Sequence, residues 1–285
     1  MKKKRQPLFW ILLVIILCIL CVCAIIAFMW WRGQGLIEGL GNPLNLIPNV
    51  AQPTATALPS LPAIAVTDVP TQPVFTLGAA PVLHLAGRSD IVIPKLGEPS
   101  DNPIFGCPGL AMELVQETYP AGYRITPGSE FTFSASGRVN YYGGPVEEGV
   151  LPDGNPNVMA NIEPYGGISG YTGPSGALVG VFLDDAIPNS QTAPERINFN
   201  ADGVGVDFER LEPQIGQVFF IGDGKNAAGK TQVFVAPLTA TRLYIGLIDA
   251  PDFQGVSSCY SDNTGGFEYT LQSNQPYQLL PPGTP

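Results

Sequence analysis

The sequence predicts an all-β protein, an antiparallel β-sandwich or jelly-roll ectodomain carried by one N-terminal transmembrane helix. Three observations carry that prediction. Charged residues make up only 13% of the chain while glycine (33) and proline (29) are abundant, a balance that disfavours long helices and suits short strands joined by turns. Beyond residue 80, short apolar or alternating runs recur between turn signals. No stretch of that region keeps a 3.6-residue apolar repeat for about 12 residues, the length a packed helix needs.

The basic segment 1–7, with Lys2, Lys3, Lys4 and Arg5, precedes Leu8–Trp31, a run of 24 residues without a charge. About 20 apolar residues cross a bilayer's hydrocarbon core, so 8–31 reads as a span in contact with the lipid bilayer. Trp10 and Trp30-Trp31 fall where interfacial aromatics lie. Four basic residues precede the span and only Arg32 closely follows it. The positive-inside bias then places the N-terminus in the cytoplasm and the rest outside, a single-pass signal anchor in the cell membrane. The run exceeds the usual signal-peptide h-region, and no A-x-A-like cleavage site follows it. Cys18, Cys21 and Cys23 read as apolar filler of that helix. All 24 acidic residues and ten of the 14 basic ones lie beyond the span, giving 10 − 24 = −14 for the exported part. That charge argues against nucleic acid or anionic lipid as a partner and suits cations.

Residues 32–80 read as a Pro/Thr-rich disordered stalk, with Leu36–Ile47 able to form a short juxtamembrane helix. The domain proper is expected over 81–273, followed by a loose Pro-rich tail at 274–285. Expected strands are Val82–Ala86, Ile91–Ile93, Tyr123–Thr126, Glu130–Ser134, Gly137–Tyr142 and Ala177–Leu183. Ile197–Phe199, Gln217–Ile221, Thr231–Val235, Arg242–Ile248 and Phe267–Leu271 complete the set. Two have a clean period of two: Phe131 and Phe133 alternate with Glu130, Thr132 and Ser134, and Phe267, Tyr269 and Leu271 with Glu268, Thr270 and Gln272. Each reads as a strand with one wet and one packed face. Ala111–Glu117 fits a short helix or a strand.

The sharpest motif is Gly224–Thr231, which fits GxxxxGK[ST]. A phosphate loop needs a helix N-terminus behind it. Here the β-branched and aromatic run Thr231–Ala236 follows, and Pro237 closes it within one strand length. The segment reads as a hairpin loop between strands and not as a nucleotide site. The single histidine, His84, falls in an expected N-terminal strand without a nucleophile or acid beside it, so no catalytic arrangement forms around it in sequence. Asp184-Asp185 and Glu147-Glu148 read as solvated loop charges. Together these features point away from an enzyme. Cys107 and Cys259, the two cysteines beyond the span, form an even pair in a compartment that can be oxidising. The pairing favours a bridge over two independent buried thiols.

The most distinctive stretch is Leu243–Phe267. An apolar run delivers Asp249, a Gly/Ser-rich loop follows, and Tyr260-Ser261-Asp262-Asn263-Thr264-Gly265-Gly266-Phe267 opens the next strand. Two oxygen-rich corners around one loop are the ligand type that hard cations such as calcium take. Asp and Asn at strand ends also form Asx-turns, so a purely structural corner is the alternative. This block resembles the calcium-binding end of the bacterial galactophilic lectin domain. Ser134–Pro145, Leu151-Pro152-Asp153-Gly154 and Gly176–Phe182 are similar to that family's earlier strands and turns. Ala86–Asp90, Gln217–Gly224 and Gln232–Pro237 resemble surface-exported bacterial proteins built on it. The resemblance covers about residues 80–272 and implies a galactose-binding-like fold. It further implies calcium ligands at the Tyr141 carbonyl, Asp249, the Cys259 carbonyl, Asp262 and Asn263, with Asp249 and Asp262 also meeting a glycan. The family's sugar-contacting histidine loop corresponds to about 155–161, which has no histidine here. The expectation is a membrane-anchored domain that binds carbohydrate through calcium. The alternative is a non-catalytic structural or protein-interaction module of the cell envelope, without a metal.

Overall fold

Strand signals of the expected kind dominate the chain, and they pair in three sheets. A computed structural model describes residues 72–107 and 114–281. The basic segment 1–7, the span 8–31 with its three cysteines, the 36–47 helix and the stalk up to residue 71 lie outside the described residues. So do residues 108–113 and 282–285. In chain order the described strands are β1 (Val74–Gly78), β2 (Ala121–Arg124), β3 (Glu130–Asn140), β4 (Asn155–Ile162), β5 (Tyr171–Ser175), β6 (Leu178–Leu183) and β7 (Arg210–Leu211). They continue with β8 (Val218–Phe220), β9 (Val233–Val235), β10 (Arg242–Leu247), β11 (Gln254–Gly255), β12 (Thr264–Ser273) and β13 (Gln278–Leu279).

One five-stranded sheet runs β1-β12-β3-β9-β7, a second runs β13-β2-β10-β6-β8, and β11-β4-β5 forms a third. The expected antiparallel pairing holds except in two short parallel pairs, β7–β9 and β11–β4. Helical structure among the described residues is confined to three-residue 3-10 turns, and none of their helices is long and apolar enough to cross a membrane.

The two large sheets face one another. Phe131 of β3 meets Phe182 of β6 with ring centroids 5.9 Å apart, and Phe219 of β8 lies 5.3 Å from Phe234 of β9. At the other end Tyr123 of β2 and Tyr269 of β12 share a 2.6 Å hydroxyl–hydroxyl hydrogen bond across the core. Burying these aromatic faces is the main source of cohesion. The alternation read from sequence sets the inward faces: Phe131, Phe133, Phe267, Tyr269 and Leu271 are buried, while Ser134, Glu268 and Gln272 are exposed. β6 is buried at every position and β10 at every position but its first, as suits central strands covered on both faces.

Several expectations need correction. The sheet starts at Val74, inside the segment expected to be stalk, because β1 pairs along its whole length with β12 and buries Leu77. The tail expected to be loose at 274–285 contributes β13, which pairs with β2, and Tyr277 donates to Leu271 O at 2.7 Å. Val82–Ala86 is no strand: Leu83–Leu85 forms a 3-10 turn, its three side chains buried. Neither Ile91–Ile93 nor Ile197–Phe199 forms a strand. Glu130–Ser134 and Gly137–Tyr142 are one strand, β3, which runs through Gly137 at φ +100, where a Cβ would stand 2.6 Å from Gly266 O. β4 and β5 had no counterpart among the expected strands. Of the 111–117 helix candidate, residues 114–117 carry no regular element.

Candidate functional site

Asp249, Asp262 and Asn263 come together where β10 ends and β12 begins. β10 and β12 lie in different sheets, so the corner sits at the sandwich's rim. β12 pairs with β3 in a register that sets Thr264 opposite Asn140, so the next residues outward are Asn263 and Tyr141. This brings the end of β3 to the same corner.

The loop between the two acids folds around one buried tyrosine. The Tyr260 hydroxyl donates to Leu247 O at 2.9 Å, accepts the Asp249 N–H at 3.2 Å and shares a 2.6 Å bond with Ser257 Oγ. Ser257 Oγ and the Ser258 N–H both reach Asp249 O at 3.1 Å. Tyr260–Asp262 forms a 3-10 turn entered through Cys259, whose φ of 69° is left-handed. Asn263 is tied down by its Nδ2 donating to Ala79 O at 2.9 Å.

A disulfide joins Cys107 to Cys259 across 152 residues. Around it the loop is held by further backbone bonds: Cys259 N–H donates to Gly106 O at 2.9 Å, and Ser261 O accepts from Leu114 and Val115 N–H at 2.7 and 2.9 Å. Glu117 Oε1 in turn accepts the Gly106 N–H at 3.1 Å.

The electrostatics of the corner are unbalanced. Asp249 and Asp262 are each 2% exposed and Asn263 1%. Asp249 Oδ1 accepts the Ala250 N–H at 2.8 Å, but Asp249 Oδ2, Asp262 Oδ1 and Asn263 Oδ1 are buried without a hydrogen-bond partner. Neither carboxylate takes part in an ion pair among the described residues. Burial pushes the Asp249 carboxyl well above its ordinary range; the Asn263 amide draws it back, and the charge of Asp262 adds to the rise. Burial likewise raises Asp262 to about 6, against a smaller opposing backbone hydrogen bond. Such groups cost several kcal/mol to leave charged and unpaired.

Tyr141 is buried beside this corner, its ring edge-on to Phe253 at 4.7 Å and its hydroxyl within 3.3 Å of Asn155 Nδ2. Gly176, at φ +67, gives that ring its space, since a Cβ there would come within 2.7 Å of it. All five residues that the resemblance marks as cation ligands therefore lie on the strand ends and loop that build one corner. Among the described residues no group of three or more His, Cys, Asp or Glu side chains gathers; the corner's set is two carboxylates, an amide and main-chain carbonyls. Those are hard oxygen donors.

The other candidates stand apart. His84 sits on a 3-10 turn, fully buried, with Nε2 3.0 Å from Ser169 O, and burial lowers its pKa to about 4. Asp185 bonds Arg124 and Thr241, Asp184 caps Ala186 N–H, and Glu147 and Glu148 are exposed. Residues 224–232 close on themselves, with Lys225 bridged to Thr231 and Gln232 N–H donating to Gly224 O. The flanking strands β8 and β9 belong to different sheets, so this loop crosses between layers where a hairpin had been expected.

Sequence reasoning missed Tyr142 and Phe253, which stand beside the corner, and Tyr260, which organises it. Tyr260 was visible as part of the motif, but its role depends on a hydroxyl reaching Leu247, 13 residues back. No known protein-family model, curated protein or solved structure matches this chain.

Proposed function

We propose that the chain is a non-catalytic carbohydrate-binding module of galactose-binding-like, jelly-roll type. On this reading a single N-terminal span holds it outside the cell membrane, and it engages glycans through a calcium ion. One observation carries the reading: three oxygens on Asp249, Asp262 and Asn263 are buried, two of them on carboxylates, with no hydrogen-bond partner and no ion pair among the described residues. A bound cation would supply the missing positive charge and open coordination positions for sugar hydroxyls. Asp249, Asp262 and Asn263 would hold it with their side chains, and Tyr141 and Cys259 with their carbonyls. The chain's own contribution is preorganisation: Tyr260, the disulfide and the Asn263–Ala79 bond fix these donors before any ligand arrives.

The second reading is a structural or protein-interaction module of the envelope without a metal. The bonds from Ala250 N–H to Asp249 Oδ1 and from Asn263 Nδ2 to Ala79 O favour it, because they give the corner work to do as a turn.

Thermal melting of the full-length chain separates the two. Calcium should raise Tm in a concentration-dependent way, with about 2.7 kcal/mol of added stability at a hundredfold excess over Kd. Asp249→Asn should abolish the rise while leaving the calcium-free protein as stable or more so, since it replaces a carboxyl whose ionised form burial disfavours. A calcium series that moves neither protein rules out the metal and leaves the structural module.

A further inference from the structure

Beside the cation corner lies an aromatic surface that the calcium reading does not use. Tyr142 follows the buried Tyr141 and is 66% exposed. Its ring is edge-on to Tyr141 at 4.7 Å and to Phe253 at 6.1 Å, while Tyr141 and Phe253 meet at 4.7 Å. The three rings thus form one packed cluster, with Tyr142 its outer member. Single exposed aromatic residues are common, but this one is held. Its N–H donates to Asn140 Oδ1 at 2.9 Å, and its two supporting rings are buried.

The support also carries strain. Asp252 and Phe253 are consecutive non-glycine residues with φ of 49° and 55°. Two adjacent left-handed residues cost free energy, and such strain persists where surrounding contacts impose it, commonly at ligand sites. Here it turns Phe253 inward under Tyr141 while leaving the Asp252 side chain exposed. The cluster abuts the corner by geometry: the β3–β12 register sets Tyr141 beside Asn263, and Phe253 comes from the loop that joins Asp249 to Asn263. The exposed ring and the partnerless oxygens therefore belong to one neighbourhood.

We propose that Tyr142 is the stacking platform of this site, on which the apolar C–H face of a pyranose ring rests while the sugar's hydroxyls turn toward the Asp249–Asp262–Asn263 corner. The inference rests on the calcium–glycan reading and narrows it: the residue that carries the ring is Tyr142, and the sugar must be a pyranose with one apolar face, in preference to a linear polyol or a free carboxylate. A rigid aromatic face supplies contact area at small entropic cost. The tyrosine hydroxyl is not required for stacking, so the ring alone should carry the effect.

The test is isothermal titration of the full-length chain with galactose, mannose and fucose in the presence of calcium, alongside its calcium-dependent Tm. Tyr142→Ala should weaken binding of the recognised sugar roughly tenfold or more, the scale of truncating an aromatic anchor, and leave the calcium-induced Tm rise intact. Tyr142→Phe should retain wild-type affinity. Equal sugar affinity in Tyr142→Ala, or failure of all three sugars to bind the wild type while calcium still raises Tm, overturns the platform and spares the cation site. Loss of the calcium response in Tyr142→Ala makes the residue a structural support and also overturns the proposal. Absence of any calcium response in the wild type removes the cation site and the platform together.

Discussion

Asp249 and Asp262 were legible as individual residues because the corner's motif is local: an apolar run ending in an acid, then a DN pair opening the next strand. That neither makes an ion pair among the described residues was not legible, since it depends on what the other strands bring near them. Burial has a measurable consequence in calcium-free solution. Asp262 titrates near 6 in the folded chain against an ordinary 3.8, so between these values the folded state holds more protons than the unfolded one. Its stabilising contribution is present below about pH 3.8 and is lost as pH rises through about 6. His84 has the opposite sign. Its pKa falls from 6.5 to about 4, so its contribution is present above 6.5 and is lost as pH falls through about 4. Urea midpoints followed across this window should therefore fall less steeply with rising pH in Asp262→Asn than in wild type. In His84→Gln they should fall more steeply. Profiles that superimpose for all three proteins would falsify the assignment of these shifts.

At the scale of elements, the strands that sequence revealed are those whose faces differ. β3 and β12 alternate cleanly, and β6 and β10 are apolar enough to stand out. β4 and β5 were invisible for a physical reason. β4 has four exposed residues in succession, Pro156 among them, and β5 contains Gly173 and Pro174. Their own propensities oppose strand formation, and pairing with each other holds them in place. The break left at residues 135–136 was not legible as strand either, and β3 runs on through Gly137, whose missing side chain lets two backbones approach. The loop from Asp249 to Asn263 depends on distant partners, residues 106–107 and 114–115, through the disulfide and its neighbouring backbone bonds. Closing so long a loop stabilises by about 4–5 kcal/mol in the chain-entropy description. A Cys107→Ser, Cys259→Ser double variant should melt lower and show a smaller calcium-induced rise in Tm. An unchanged calcium response would mean that the loop's shape is set by Tyr260 alone.

For the molecule as a whole, the sandwich was legible and its limits were not. The boundary at residue 81 followed the end of the Pro-rich composition, yet β1 lies inside that composition, and its strand character comes from β12 beside it. β1 is an edge strand, but it also supplies the corner, because Ala79 immediately after it accepts from Asn263. A truncated chain beginning at Pro81 should therefore be less stable to urea than one beginning at Thr67, and should bind calcium more weakly. Equal midpoints and equal calcium responses would show β1 to be dispensable.

The Cys107–Cys259 bond has a topological effect apart from any entropy. It closes the backbone into a covalent circle containing β2 through β11, ten of the described strands, and leaves β1, β12 and β13 on the two free arms. A single cut at any exposed loop within the circle, such as 225–230, opens the circle but releases no fragment, and the severed ends stay tied through the sulfurs. On a domain displayed outside the cell, as proposed here, a protease working inside the circle would have to cut twice to carry anything away, whereas one cut on either free arm suffices. After any single cut inside the circle, the corner at Asp249 and Asn263 stays joined by a covalent path to the arm that precedes Cys107.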